Sequence, residues 1–215
     1  MTSVSRTQRA GTTLSEMFPA PGAEAAAAGF VLAQIGKDAK PVLWIQDRLA
    51  QRETGQPCLA GLGLRGPLLL MSLSRPADVM AAVEEGLRCK ALAAVVAEIR
   101  GDHPAVNFTT MKRLALRVEV VGVPCWLIRQ AATADLSAAR NRWRIATLPS
   151  VANPDDPRAP GDPRWRLDLF RSRDGRPGEW VARHERAADR LDLVAAVPDG
   201  AVAEDAREAG QRAAR

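Results

Sequence analysis

Residues 67–99 decide the fold, and they read PLLLMSLSRPADVMAAVEEGLRCKALAAVVAEI. Residues 68–73 are apolar and carry no charge, which is typical of a β-strand that is buried on both faces. A helix is predicted next, because Ser74 can serve as its N-cap and Pro76 suits its first turn. Residues 92–96 form a second apolar run. Strand, helix and strand in so short a space predict a βαβ unit whose two strands are parallel neighbours.

The helix of this unit has an apolar face, and the rest of the chain is also predicted to alternate between helices and strands. Val79, Met80, Val83 and Leu87 give the helix one apolar face. A second helix is predicted to begin at Asn107 or Thr109 and to end before Gly122. The other predicted elements are a helix at 24–35 and strands at 13–18, 41–46, 124–128, 141–148, 165–170 and 179–184, the last two forming a hairpin.

Composition and length limit the classes of protein to which the chain can belong. The chain has 215 residues, 47% of them hydrophobic, which suits one domain with a sizeable core. It has no long apolar run and no secretory signal, so we expect a cytoplasmic protein without a membrane span. Three cysteines, Cys58, Cys89 and Cys125, are predicted to be small core residues rather than disulfide partners or zinc ligands. The net charge of +5 permits an acidic partner such as DNA.

The turn between the first strand and the first helix is where a phosphate-binding loop would lie. Such a loop needs free backbone N–H groups, a lysine for the phosphate charge and a hydroxyl for Mg²⁺. Here two prolines lack the N–H group, Glu24 adds negative charge, and no lysine precedes Lys37. No serine or threonine lies between Ser15 and Thr54. We therefore expect no nucleotide cofactor, no metal and no catalysis at this loop. A Gly-rich match at 61–66 is followed by a strand rather than a helix, so it predicts only a connection.

One cluster of basic residues is a candidate contact surface. Arg140, Arg142 and Arg144 lie around Trp143 within the predicted strand 141–148. Guanidinium groups beside an aromatic ring can contact DNA phosphates and bases or the carboxylates of a partner protein. The alternative is that these side chains are the solvated face of a surface strand.

The order and spacing of five stretches resemble a known family. They are PVLWIQD at 41–47, RPADVMAAVEEGLRCKALAAVVAEI at 75–99, RLALRVEVVGVPCWLIR at 113–129, SAARNRWRIATLPS at 137–150 and PRWRLDLFRSRDGRPGEWV at 163–181. The order of elements is similar to that of the RecA-like ATPase core. More narrowly, residues 11–181 resemble the ImuA-type damage-inducible mutagenesis proteins, a degenerate RecA-like family related to the SulA-like division inhibitors.

The resemblance implies a fold and a role. The fold is α/β, a RecA-like three-layer core with a mostly parallel central sheet and antiparallel closing strands. The role is that of a non-catalytic accessory protein in translesion synthesis during the SOS response to DNA damage. Its partners would be an ImuB-like homologue of Y-family polymerases and the error-prone polymerase complex, with RecA and DNA as further candidates. Asp47 and Glu98 match the strand ends at which RecA-like enzymes carry catalytic acids, but without a phosphate site we assign them no catalysis.

We also predict the domain organisation, and two other functions stay open. We expect a flexible N-terminus at 1–10, a degenerate RecA-like domain at 11–185 and a partly disordered segment at 186–215. Exposed apolar residues at 191–197 would mark a partner surface. The short stretch before the first strand suggests reduced self-assembly or a truncated start. The alternative functions are a SulA-like cell-division inhibitor and an NTPase with an atypical phosphate site.

Overall fold

The computed structural model describes residues 12–36, 39–58, 66–173 and 175–195. Within these ranges the chain forms nine strands and four helices. In chain order they are β1 (Leu14–Pro19), α1 (Glu24–Ile35), β2 (Val42–Asp47), α2 (Arg48–Thr54), β3 (Leu68–Leu73), α3 (Pro76–Gly86), β4 (Ala94–Arg100), α4 (Phe108–Val121), β5 (Cys125–Gln130), β6 (Asn141–Leu148), β7 (Arg164–Ser172), β8 (Gly178–Glu185) and β9 (Arg190–Ala195).

All nine strands belong to one sheet with the order β3-β2-β4-β5-β1-β6-β7-β8-β9. The first six strands of this order are parallel, and β7, β8 and β9 pair antiparallel to their neighbours. The predicted fold class is thereby confirmed: a mostly parallel α/β sheet closed by antiparallel strands. The predicted hairpin of β7 and β8 is also present, with Trp165 opposite Ala182.

Helices cover both faces of the sheet and give it three layers. On one face, α3 and α4 pack on a core that includes Ile45, Val95 and Leu127. On the other face, the Phe30 ring of α1 meets the edges of Trp126 and Trp165 at centroid distances of 6.1 and 6.0 Å. The central strands β1, β2, β4 and β5 are largely apolar on both faces, because consecutive strand residues point to opposite sides and both sides are covered there.

The second predicted helix has the expected ends. Asn107 is the N-cap of α4, and its Oδ1 accepts a hydrogen bond from the Thr110 backbone N–H at 3.0 Å. Gly122 ends the helix in the left-handed region at φ 83°, which suits glycine because it has no Cβ. The predicted apolar face is buried; it consists of Met111, Leu114, Ala115 and Val118.

The prediction for the βαβ unit is wrong in two respects. The strands β3 and β4 are parallel to one another, but β2 lies between them. β3 is an edge strand rather than a strand buried on both faces: Leu69, Leu70 and Met71 are 47%, 41% and 40% exposed. An apolar run predicts a strand but contains no information on where the strand lies in the sheet.

Two helix starts also differ from the sequence-based expectation. The sequence analysis predicts no helix or strand at 48–54, yet these residues form α2, which is capped by Asp47. The N-cap of α3 is Arg75 rather than Ser74, and it makes no side-chain capping bond. The Gly-rich match lies almost wholly outside the described residues, since the structure resumes at Gly66.

The described part of the C-terminal segment belongs to the sheet. In β9, Leu191 and Leu193 are buried in the core around α1, which corrects the prediction that they form an exposed partner surface. Val194 and Ala195 are exposed, and residues 196–197 of that predicted surface lie outside the described residues, as does the predicted flexible N-terminus at 1–10. The boundary predicted at residue 185 lies between β8 and β9, which pair with each other in the same sheet, and the domain division stays a prediction.

The cysteines also differ from one another. Cys125 is buried as predicted, whereas Cys58 and Cys89 are exposed, so the prediction of core positions is wrong for these two. Burial raises the pKa of the Cys125 thiol to about 12.

Candidate functional site

The loop between β1 and α1 uses its own backbone groups for internal bonds. The Ala20 N–H donates to the Ile145 carbonyl at 2.8 Å, and the Ala23 N–H donates to the Ala20 carbonyl at 2.8 Å. Pro21 has no N–H group, and Gly22 takes a left-handed conformation at φ 79°. Two of the N–H groups that could point at a phosphate are therefore engaged within the chain.

The start of α1 carries a carboxylate where a phosphate would need positive charge. Glu24 lies in the first turn, where a negative group is favoured by the helix dipole. Its Oε1 is 3.9 Å from Nη1 of Arg100, and Nη2 of Arg100 is 4.0 Å from the Glu53 carboxylate. Arg100 thus lies between two carboxylates, one from α1 and one from α2.

Asp47, at the end of β2, holds two backbone groups. Its Oδ1 accepts the Ala50 N–H at 2.6 Å and thereby caps α2. Its Oδ2 accepts the Arg100 N–H at 2.8 Å, which ties α2 to the end of β4. The side chain is buried, and these contacts account for it as a structural residue.

Glu98, near the end of β4, is the centre of a buried polar network. Its Oε1 accepts a hydrogen bond from Trp44 Nε1 at 2.6 Å, and its Oε2 accepts one from Gln130 Nε2 at 2.6 Å. Gln130 Nε2 also lies 3.2 Å from the Thr54 hydroxyl. Burial raises the pKa of Glu98 to about 7, against the lowering effect of these hydrogen bonds. A raised pKa is common in general bases, but this carboxylate is 4% exposed and both its oxygens are engaged.

The structure separates the four residues of the predicted basic surface. Arg142 is buried, and Trp143 is partly buried against Trp180. Arg144 is the most exposed; it pairs with Asp168 at 2.8 Å. The guanidinium of Arg140 is paired with Glu119 at the end of α4. Arg144, with 54% of its side chain exposed, is therefore the most accessible of the four, and a contact role for the four remains a prediction.

Arg142 belongs instead to an ion-pair centre that the sequence analysis did not identify. Glu16 lies in the middle of β1 and is completely buried. Arg142 Nε donates to Glu16 Oε2 at 2.7 Å, and Arg129 Nη1 is 3.6 Å from Glu16 Oε1. The Arg142 guanidinium also lies over the rings of Phe18 and Phe170, 5.3 and 5.1 Å from their centroids. The sequence signal was a glutamate inside an otherwise apolar strand, which requires a cation nearby.

Metal and membrane features can be stated for the described ranges. There, no three histidine, cysteine, aspartate or glutamate side chains are grouped so as to hold a metal ion. Within the same ranges, every helix is too short or too polar to cross a bilayer.

Comparisons with known proteins identify the family. No protein-family model matches the chain. It is 33% identical over 185 residues to "Protein ImuA" of Caulobacter vibrioides strain NA1000 / CB15N, an alignment that covers 80% of this chain and 72% of that protein. "Protein ImuA" of Caulobacter vibrioides strain ATCC 19089 / CIP 103742 / CB 15 matches with the same identity and coverage. An identity of this level over most of both chains shows common descent, and the chain belongs to the ImuA family.

Proposed function

We propose that this chain is a non-catalytic accessory protein of DNA-damage-induced mutagenesis. In this role it binds an ImuB-like homologue of Y-family polymerases and links it to the error-prone polymerase complex, without binding a nucleotide. Family membership supports the mutagenesis role. The observation that carries the non-catalytic part is the loop between β1 and α1, where Glu24 and two prolines replace the groups that hold a phosphate.

The contacts of this loop argue against nucleotide binding in three ways. The N–H groups of Ala20 and Ala23 already have carbonyl partners. Glu24 places negative charge at the helix start, where it would repel the phosphate groups of a nucleotide. Arg100 could attract a phosphate, but it lies between Glu24 and Glu53 and is partly neutralised by them. A RecA-like NTPase with an atypical site is therefore the weaker candidate.

The edge strand β3 supports a protein-binding role. Among the described residues, β3 pairs with β2 alone, so its other side presents unpaired backbone groups. Leu70 faces one side of the sheet, while Leu69 and Met71 face the other, and all three are exposed. An exposed apolar edge of this kind suits the addition of an extended segment from a partner protein. We therefore place the proposed partner surface at β3 rather than at β9.

Two measurements on the purified chain test the two parts of the proposal. Titration with ATP and Mg²⁺, followed by calorimetry, should give no saturable heat, because the loop offers neither lysine nor hydroxyl. Saturable binding in the micromolar range together with hydrolysis of the bound nucleotide would overturn the non-catalytic part and favour the NTPase alternative. A nucleotide that binds without being hydrolysed would contradict only the claim that the chain binds no nucleotide.

The second measurement is binding to the ImuB-like protein of the same organism. The change Leu70→Lys places a charge on the exposed apolar edge, and we expect affinity to fall by at least about tenfold. The matched control is Val120→Lys, because Val120 is also an exposed apolar residue but lies on α4. Equal affinity of the two variants would exclude β3 as the partner surface. Binding to a cell-division protein instead of the ImuB-like protein would favour the SulA-like alternative.

A further inference from the structure

A cavity of about 310 Å³ opens beside the buried ion-pair centre. Its walls come from two connections: residues 102–106, which follow β4, and residues 135–137, which follow β5. Glu16 and Arg129 also line it. The volume is at the lower end of the range of small-molecule sites, which suits a group the size of one long side chain or a small ligand.

Glu16, a buried residue in the lining of this cavity, has an unused acceptor. Its Oε2 accepts a hydrogen bond from Arg142, but in the part of the chain that the structure describes, Oε1 accepts none. The nearest charged group is Arg129 Nη1 at 3.6 Å, beyond normal hydrogen-bond length. A buried carboxylate oxygen without a donor is costly, so this oxygen favours a ligand that brings an N–H group.

The charges of the cavity leave room for one more cation. Three carboxylates line it, from Glu16, Asp102 and Asp135, against the single guanidinium of Arg129. With Arg142 counted behind Glu16, three negative groups face two positive ones, and one added cation neutralises the site. This local excess of negative charge contrasts with the net charge of +5 of the whole chain. The buried Arg129 Nε also lacks an acceptor among the described residues, but the excess of carboxylates in the lining disfavours an anionic ligand such as a DNA phosphate.

The carboxylate of Asp102, at the rim of the cavity, is held in place by hydrogen bonds and stays ionised. The Thr133 hydroxyl donates a hydrogen bond to Asp102, and the Thr133 N–H donates to Asp102 Oδ1 at 3.1 Å. Arg129 Nη2 donates to the same Oδ1 at 3.0 Å. The hydrogen bonds from Thr133, with the nearby Arg129, lower the pKa of Asp102. The negative charge of the rim therefore persists at neutral pH.

Apolar side chains complete the cavity. Val106 and Met111 line the wall, and Leu136 is 71% exposed at the opening. Such a wall can cover the methylene groups of a long side chain whose charged end reaches the carboxylates. A guanidinium suits the polar end better than an ammonium does, because its planar group offers five N–H donors to several acceptors at once.

We propose that this cavity binds a guanidinium group on an aliphatic stem, namely an arginine side chain of a partner protein. The claim does not depend on the accessory role proposed above, because it can be tested on the isolated chain. The same chemistry could come from free arginine, and the test separates the two sources.

The test is an NMR titration of the uniformly ¹⁵N-labelled full chain with N-acetyl-argininamide, which mimics the side chain within a peptide. We expect saturable shifts of backbone amides in residues 102–106 and 133–137. The uncharged isostere N-acetyl-citrullinamide should bind at least about tenfold more weakly, since it lacks the positive charge. If the cavity binds an arginine side chain of a protein, free arginine should bind no more tightly than N-acetyl-argininamide. Markedly tighter binding of free arginine would overturn the partner source in favour of a free ligand.

Variants of the exposed rim make the test specific. Asp135→Asn should weaken binding of N-acetyl-argininamide at least about threefold by removing one of the carboxylates. Leu136→Ser should weaken it through the lost apolar wall. The matched control is Asp155→Asn, because Asp155 is an exposed aspartate in the loop before β7. Glu16→Gln probes the floor of the cavity, and the rim variants decide the question if that variant does not fold. Absence of saturable shifts, or equal affinity of Asp135→Asn and the parent chain, would contradict the proposal.

Discussion

Glu98 should make the stability of this protein fall as the pH rises from mildly acidic to neutral. Burial raises its pKa from 4.5 to about 7 in the folded chain, whereas in the unfolded chain it keeps its ordinary value. Between these two values the folded state binds a proton that the unfolded state does not. Protonation therefore favours the folded state there, and this contribution is fully present below about pH 4.5 and lost above about pH 7.

The structure gives the magnitude of this effect and a variant that removes it. A rise from 4.5 to about 7 corresponds to about 3 kcal/mol of unfolding free energy across this window. Glu98→Gln keeps the shape and an acceptor for Trp44 but has no charge to desolvate. Gln130 Oε1 is buried without a hydrogen-bond donor among the described residues. The amide introduced by Glu98→Gln can donate to this oxygen if the side-chain amide of Gln130 flips by about 180°.

The assay is urea unfolding of both proteins at about pH 5 and about pH 8. The difference in unfolding free energy between Glu98→Gln and the parent chain should grow by about 2.5 kcal/mol in favour of the variant between the two pH values, because part of the full effect lies below about pH 5. Other titrating groups cancel in this comparison. The control is Glu85→Gln, because the Glu85 side chain is 66% exposed and should show no such change. Parallel pH dependence of the parent chain and Glu98→Gln would show that the pKa of Glu98 is not raised in the folded protein.

Three further predictions concern residues with defined structural partners. Asp47→Ala removes the cap of α2 and a bond to β4, and urea unfolding should show a loss of about 1–3 kcal/mol; an unchanged midpoint would contradict the assigned role. Arg142→Met leaves the buried carboxylate of Glu16 without its nearest cation, so thermal and urea unfolding should show a loss of roughly 3–5 kcal/mol, and a loss below about 1 kcal/mol would mean that the pair is not buried as described. Cys125 should resist iodoacetamide in the folded protein while Cys89 reacts, as peptide mass spectrometry would show, because the Cys125 thiol is buried and its pKa is about 12; equal rates would contradict this.

The sequence was sufficient for most elements whose signals are local. The cap and the αL end of α4 follow from Asn107 and Gly122, which occupy the positions that such residues favour. The hairpin of β7 and β8 follows from strict alternation and turn residues between them. In each case, the residues that carry the signal lie within one helix or between adjacent strands.

Features that depend on distant residues could not be predicted in the same way. The place of β2 between β3 and β4 is a property of the whole sheet, so the apolar run of β3 was expected to be buried although it lies at the edge. Glu16 and Arg142 are 126 positions apart, and only the parallel pairing of β1 with β6 brings them together. Arg142 was therefore expected to be a surface contact, whereas the structure buries it.

The most direct test of the proposed role is to purify this chain together with the ImuB-like protein of the same organism in nucleotide-free buffer. Size-exclusion chromatography with light scattering would then measure whether the two elute as one complex of defined mass. We predict a stable complex whose elution and mass do not change on adding ATP and Mg²⁺. Separate elution of the two proteins without nucleotide, with a complex formed only in its presence, would contradict it.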